Sequence, residues 1–185
     1  MAADLRWETL SSRTDYACPG FAVRRDAVRL PDGTETSFHT VVDAPAVVVL
    51  PFTPAGDVVV IDEWRQAVGR VNRGLPAGGV EPDDADLEAA ARRELTEETG
   101  YVAGSMTPLV TVEPANGVGN FVFDHFVARD CRPEGERDLD HNESITVTTV
   151  GWATLLAQAL AGELRDGRTL TAVLYHAATS EALDR

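Results

Sequence analysis

The chain has 185 residues, 44% hydrophobic and 25% charged, enough for one globular domain that buries a core of its own. Thirty acidic residues face sixteen basic ones, every one of them arginine, for a formal charge of −14. So acidic a surface suits no nucleic-acid partner, which needs a basic one.

Acidic excess with arginine in place of lysine points to a high-salt cytoplasm, to a GC-rich genome, or simply to an acidic soluble protein. Cys18 and Cys131 lie far apart without metal-ligand spacing, as expected of free thiols in a reducing compartment. The opening M-A-A-D-L-R-W-E lacks a basic region followed by an apolar run, so no leader is expected. No apolar stretch approaches the roughly 18 residues of a spanning helix. The expectation is a cytoplasmic protein with no membrane partner.

Residues 1–45 read as a strand-rich segment. Short alternating runs, with Val28 and Leu30 on one side, meet the turn chemistry of Pro31-Asp32-Gly33 and suggest a β meander. From residue 46 to 185 the pattern becomes that of a mixed α/β domain. Residues 46–52 and 58–61 are near-continuous apolar runs, as in buried strands. A glycine-rich approach, G-L-P-A-G-G-V, leads to a helix. Strands are expected at 108–112, 121–128 and 144–152, and helices at 153–163 and 171–183. The polar stretch between the last two of those strands is a long loop, which in a compact domain is often functional.

The helix within residues 79–101 carries the chemistry. Leu87, Ala91 and Leu95 form a stripe for the core. Asp83 or Asp84 can cap its start, and Gly100 can end it in the left-handed conformation. Glu94 and Glu98 lie one above the other with Glu97 beside them, near the negative end of the helix dipole. Carboxylates crowded there and bordering an apolar stripe need a positive partner, and hard oxygen donors suit magnesium or manganese.

Gly79, then R93-E94-L95-T96-E97-E98-T99-G100-Y101, resembles the Nudix box. The box expects glutamate where this chain has Ala85, and Asp84 or Asp86 is left to meet Arg93. The resemblance implies a Nudix fold, an α/β/α sandwich preceded by the β meander. It also implies a metal-dependent pyrophosphohydrolase acting on a nucleoside diphosphate linked to another group. By that analogy Mg2+ or Mn2+ would be held by Glu94, Glu97, Glu98 and the Gly78 carbonyl, with Arg93 and Glu97 in the catalytic cluster.

The flanking D-E-W-R-Q and G-L-P-A-G-G-V-E resemble the ADP-ribose and ADP-sugar pyrophosphatase branch. That implies a nucleotide-sugar substrate, ADP-ribose or another ADP-sugar, cleaved to AMP and a sugar phosphate. Arg65, Trp64, Gly79 and Asn116 are the substrate-binding candidates. Asn116-Gly117 stands where that branch tends to carry Pro-Gly. Glu143 is the candidate general base, with His141 as the alternative. The branch also implies a homodimer in which the first 45 residues serve as the dimerisation element, with Trp7 and Phe21 as pocket, interface or core residues. Two other readings stay open: a Nudix hydrolase of other dinucleotides or modified nucleotides, and a ligand-sensing domain weakened by Ala85.

Overall fold

The computed structural model describes residues 4–183, with the side chains of 181–183 left aside. The first three residues, part of the stretch read above for a leader, lie outside it. The chain forms two compact units.

The first unit takes the chain up to Ala44 together with Glu113–Val122. Its strands β1 (Glu8–Cys18), β2 (Phe21–Arg29) and β3 (Glu35–Val42) make an antiparallel meander in the order β1-β2-β3. The Pro31-Asp32-Gly33 turn closes as its residues predict. Gly33 takes φ 86°, its N–H donates to the Leu30 carbonyl at 2.9 Å, and Asp32 Oδ1 accepts from Thr34 N–H. Val28 and Asp26 share the buried face of β2. Trp7 and Phe21 are exposed, not core, and Trp7 packs edge-on against Phe38. Residues 113–122 run back along β3, where Val41 exchanges backbone hydrogen bonds with Val118 and Asn120. Nothing in the composition of that stretch marks it as belonging with the N-terminal strands.

The second unit begins with β4 (Ala46–Pro51), β5 (Asp57–Arg65), β6 (Arg70–Gly74) and β7 (Ala77–Gly79). Helix α1 (Leu87–Thr99) follows, then β8 (Ser105–Val112), β9 (Phe123–Arg129), β10 (Ile145–Gly151), α2 (Trp152–Leu160) and α3 (Gly167–Leu183). One sheet has the order β7-β4-β9-β8, with β4 and β9 parallel, and the other β10-β5-β6. The apolar run of β4 is continuous because both of its faces are covered. Val47 and Val49 point into a core with Ala90, Ala91 and Leu95 of α1. Val48 and Leu50 point into another with Leu155 of α2 and Val173 of α3. Helices thus cover both faces, the layered mixed α/β architecture expected. Among the described residues no helix is long and apolar enough to cross a membrane.

Strands β6 and β7 replace the expected glycine-rich approach. Neither shows apolar alternation, and each takes its conformation from a partner: Ile61 pairs with Gly74, and Val48 with Ala77. Arg73 fixes the β5–β6 register with a bidentate pair to Asp62 at 3.0 and 2.9 Å.

Leu155 is fully buried and far in sequence from the acidic helix. Leu155→Ala is expected to lower the unfolding free energy by about 2–5 kcal/mol in a denaturant titration. A loss below about 1 kcal/mol would contradict this packing.

Candidate active site

Helix α1 starts later than the acids at 83 and 84 suggest. Asp86 caps it, its Oδ1 accepting from Ala89 N–H at 2.8 Å. Leu87, in the first turn, is 38% exposed, and the buried stripe consists of Ala90, Ala91 and Leu95. Gly100 ends the helix at φ 74°, as expected.

Asp84 is thereby free to face Arg93, and it supplies the carboxylate missing at Ala85. Arg93 Nε and Nη2 reach the two Asp84 oxygens at 3.1 and 2.9 Å. Nη1 donates to Glu94 Oε1 at 2.8 Å and Glu97 Oε2 at 2.9 Å, and Nη2 also to the Gly79 carbonyl at 2.8 Å. One guanidinium thus ties the turn before the helix to two of the three glutamates.

Glu94 and Glu98 are buried beside the stripe, and Glu97 is more open. Burial pushes the Glu94 carboxyl up to about 7, against the pull of Arg93. It pushes that of Glu98 up to about 8, although Glu98 accepts from Ala77 N–H at 3.0 Å. Gly78 lies against Glu94. A Cβ there would stand 2.3 Å from the Glu94 carboxyl, so any larger residue would push that carboxyl aside.

These groups line a cleft of about 310 Å3, with Glu81, Asp138, Asp140 and Glu143 also facing it and Arg93 as the cation among its lining residues. Glu143 and Asp140 brace each other: Asp140 N–H donates to Glu143 Oε2, and Glu143 N–H to the Asp140 carbonyl, both at 3.0 Å. Of the two candidate bases Glu143 lies on the cleft; His141 is exposed and absent from its lining. The donor set, oxygen-only and partly buried with backbone brought close at Gly78, fits a hard divalent cation. Among the described residues no three His, Cys, Asp or Glu side chains stand ready as a metal-ligand group. Glu94 and Glu97 are turned onto Arg93 instead, and Glu98 onto Ala77.

Arg65 and Trp64, at the end of β5, are not part of this lining. Arg65 Nη2 lies 2.6 Å from Glu63 Oε2, an ion pair without an aligned hydrogen bond. Glu63 is buried, and burial holds its carboxyl above the usual range. Trp64 is half exposed and donates its indole N–H to Gln66 at 3.0 Å. Asn116 is an exposed turn residue of the first unit. Sequence reasoning missed Glu63, Glu81, Asp138 and Asp140, acids whose spacing carries no motif. The buried His125 packs its ring nitrogens against the carbonyls of Val110, Phe123 and Arg168, a structural role.

The NUDIX domain family matches residues 42–172, and the nucleoside diphosphate sugar hydrolase N-terminal domain matches residues 7–42. The chain belongs to the Nudix family. The chain is 30% identical to an ADP-ribose pyrophosphatase of Mycobacterium tuberculosis over 96% of its length and 87% of the relative's. It is also 30% identical to an ADP-ribose pyrophosphatase of Bacillus subtilis over 80% of each chain, and 29% identical to a methanol dehydrogenase activator of Bacillus methanolicus over 91% and 92%. A crystal structure of an ADP compounds hydrolase superposes with TM-score 0.85 over all of both chains at 20% identity, a likeness of fold. The protein is a Nudix hydrolase with an altered box, in which Asp84 stands in for the acid at position 85.

Asp84→Ala is expected to lower kcat on the order of 10- to 100-fold by letting Arg93 swing away. Adding Ala85→Glu to that variant should restore most of the rate. An Asp84→Ala enzyme at the wild-type rate would show that the pair is idle.

A second expectation concerns pH. Glu94 and Glu98 hold their protons more tightly folded than unfolded, so their contribution to stability is full below about pH 4.5. It is lost as pH rises through about 7 and 8. In chelator, the wild-type unfolding free energy should therefore fall over this range more than that of Glu94→Gln/Glu98→Gln. Equal slopes would contradict the raised values.

Proposed function

We propose that the protein is an ADP-sugar pyrophosphohydrolase, with ADP-ribose the preferred substrate, releasing AMP and ribose 5-phosphate. The observation that carries this reading is the acid-lined cleft in which Glu94, Glu97 and Glu98 share one wall system with Glu143. The names of the two pyrophosphatase relatives support the substrate class. Glu94, Glu97, Glu98 and the Gly78 carbonyl would hold Mg2+, or Mn2+ in its place. Bound there, the cation supplies charge neutralisation at the pyrophosphate oxygens.

The chain's own residues do the rest. Glu143 takes a proton from the water that attacks phosphorus, while the anhydride P–O bond breaks toward the departing phosphate ester. Arg93 holds Glu94 and Glu97 in place and leaves the substrate alone. Arg65 exchanges Glu63 for a substrate phosphate, and the half-exposed Trp64 offers a face to the base. Gly79 lets backbone approach the substrate. The exposed strand β1, with Tyr16 uncovered on it and Trp7 and Phe21 uncovered just beyond its ends, supports a homodimer formed through the N-terminal strands. The reading places the enzyme in the cytoplasm, with no nucleic-acid or membrane partner.

A substrate panel with magnesium tests the reading. AMP and ribose 5-phosphate from ADP-ribose are expected; hydrolysis confined to other dinucleotides would move the substrate class, and binding without turnover would overturn the hydrolase. Glu98→Gln should cut kcat by orders of magnitude while far-ultraviolet circular dichroism stays native. Glu143→Gln should also cut kcat, and an undiminished rate would remove Glu143 from the mechanism.

A further inference from the structure

The last carbonyls of an α-helix have no partner within the helix. In α1 the Gly100 N–H takes that of Thr96 at 2.7 Å. The next ones are taken by the loop that carries Glu143. Asp138 N–H donates to the Glu97 carbonyl at 3.0 Å, and Arg137 Nε to the Glu98 carbonyl at 2.9 Å, from 39 residues further along the chain. Gly135 N–H donates to the Gly100 carbonyl at 3.0 Å. A Cβ on Gly135 would stand 2.6 Å from the Thr96 side chain, so loop and helix are in close contact.

Arg137 does more than cap. Its Nη2 donates to the carbonyl of Ile145 at 3.1 Å, where the loop leaves for β10. One guanidinium thereby joins the helix at Glu98 to both ends of residues 138–144, the segment in which Glu143 sits. We propose that Arg137 is a positioning residue that holds the Glu143 loop in register with the carboxylates of α1. The inference rests on the reading of Glu143 as general base. The planar fork of arginine holds two acceptors in fixed, separated directions, whereas the three donors of a lysine ammonium rotate at one point on a flexible stem. The positive charge also lies at the negative end of the helix dipole, where it offsets part of the field from the glutamates. Without the clip, the mutual bonds of Asp140 and Glu143 and the Asp138 N–H bond to Glu97 would survive, but the tie from Glu98 to the Ile145 end of the segment would not.

The test compares Arg137→Ala, Arg137→Lys and Glu143→Gln in the full chain, with ADP-ribose and magnesium. Arg137→Ala is expected to lower kcat on the order of 10- to 100-fold, with KM changed less than about threefold. In the Glu143→Gln background the same change should cost less than about threefold, because the positioned group is already gone. Amide hydrogen exchange should accelerate over 138–144 while the middle of α1 keeps its protection. Arg137→Lys should behave like Arg137→Ala; a wild-type kcat with lysine would reduce the residue to bulk charge and overturn the proposal. Wild-type kcat and exchange in Arg137→Ala would overturn it while leaving the base assignment intact. If Glu143→Gln keeps full activity, the base assignment falls by itself, and the exchange pattern alone then decides whether the clip exists.

Discussion

The structure depends on a concentration of negative charge at the wrong end of a helix. Glu94, Glu97 and Glu98 gather toward the C-terminus of α1, where the dipole already disfavours anions, and Glu94 and Glu98 are buried there. Without lysine, the chain draws on guanidinium groups, backbone N–H groups and protons to offset this. Arg93 bridges Glu94 and Glu97, Ala77 N–H serves Glu98, and burial raises the Glu94 and Glu98 carboxyls toward neutrality, which favours their protonated forms. Strand β7, paired with β4, brings its backbone at Ala77 and Gly78 against these carboxylates.

The same constraint explains why the altered box still assembles. Position 85 contributes no acid, but the cap moved to Asp86 and released Asp84 to point back along the helix at Arg93. A one-residue shift of the acid is tolerated because it lies in the turn before the helix, where the backbone is not bound to a 3.6-residue period. Within the helix the same shift would rotate the carboxylate by about 100°. The feature that favoured a weakened domain is thus met by a neighbour one residue away.

Elements with an apolar period were legible in the sequence. The runs of β4 and β5, both terminal helices and the Pro31-Asp32-Gly33 turn all appear close to where composition puts them. That Glu94, Glu97, Glu98 and Glu143 would line one cleft was legible too, the helix glutamates because their spacing stacks them. What stayed hidden was long-range. Strands β6 and β7 are specified by their partners, and residues 113–122 fold with strands far earlier in the chain. Arg137 looks like any other arginine in a polar loop until its acceptors, Glu98 and Ile145, are known. Leu87 misled for the opposite reason: its helical phase is right, but it lines an open groove with Pro108, Val110 and Phe126 and stays 38% exposed.

The electrostatics of the cleft also constrain what must meet the pyrophosphate. Among the lining residues Arg93 is the cation, and its Nε, Nη1 and Nη2 already serve Asp84, Glu94, Glu97 and the Gly79 carbonyl. It has little left to offer an incoming anion, so its work is internal. Arg65 is engaged as well, by a Glu63 whose buried carboxylate gains from that charge. A polyanionic substrate entering between Glu81, Glu94, Glu97, Asp138 and Glu143 would therefore meet net repulsion unless a cation came with it or before it. A cation bound there would compete with the protons of Glu94 and Glu98 and with the hold of Arg93 on Glu94 and Glu97, while Asp84 and the Gly79 carbonyl would remain as its anchors. The acid at position 84 thus anchors the Arg93 guanidinium independently of the glutamates.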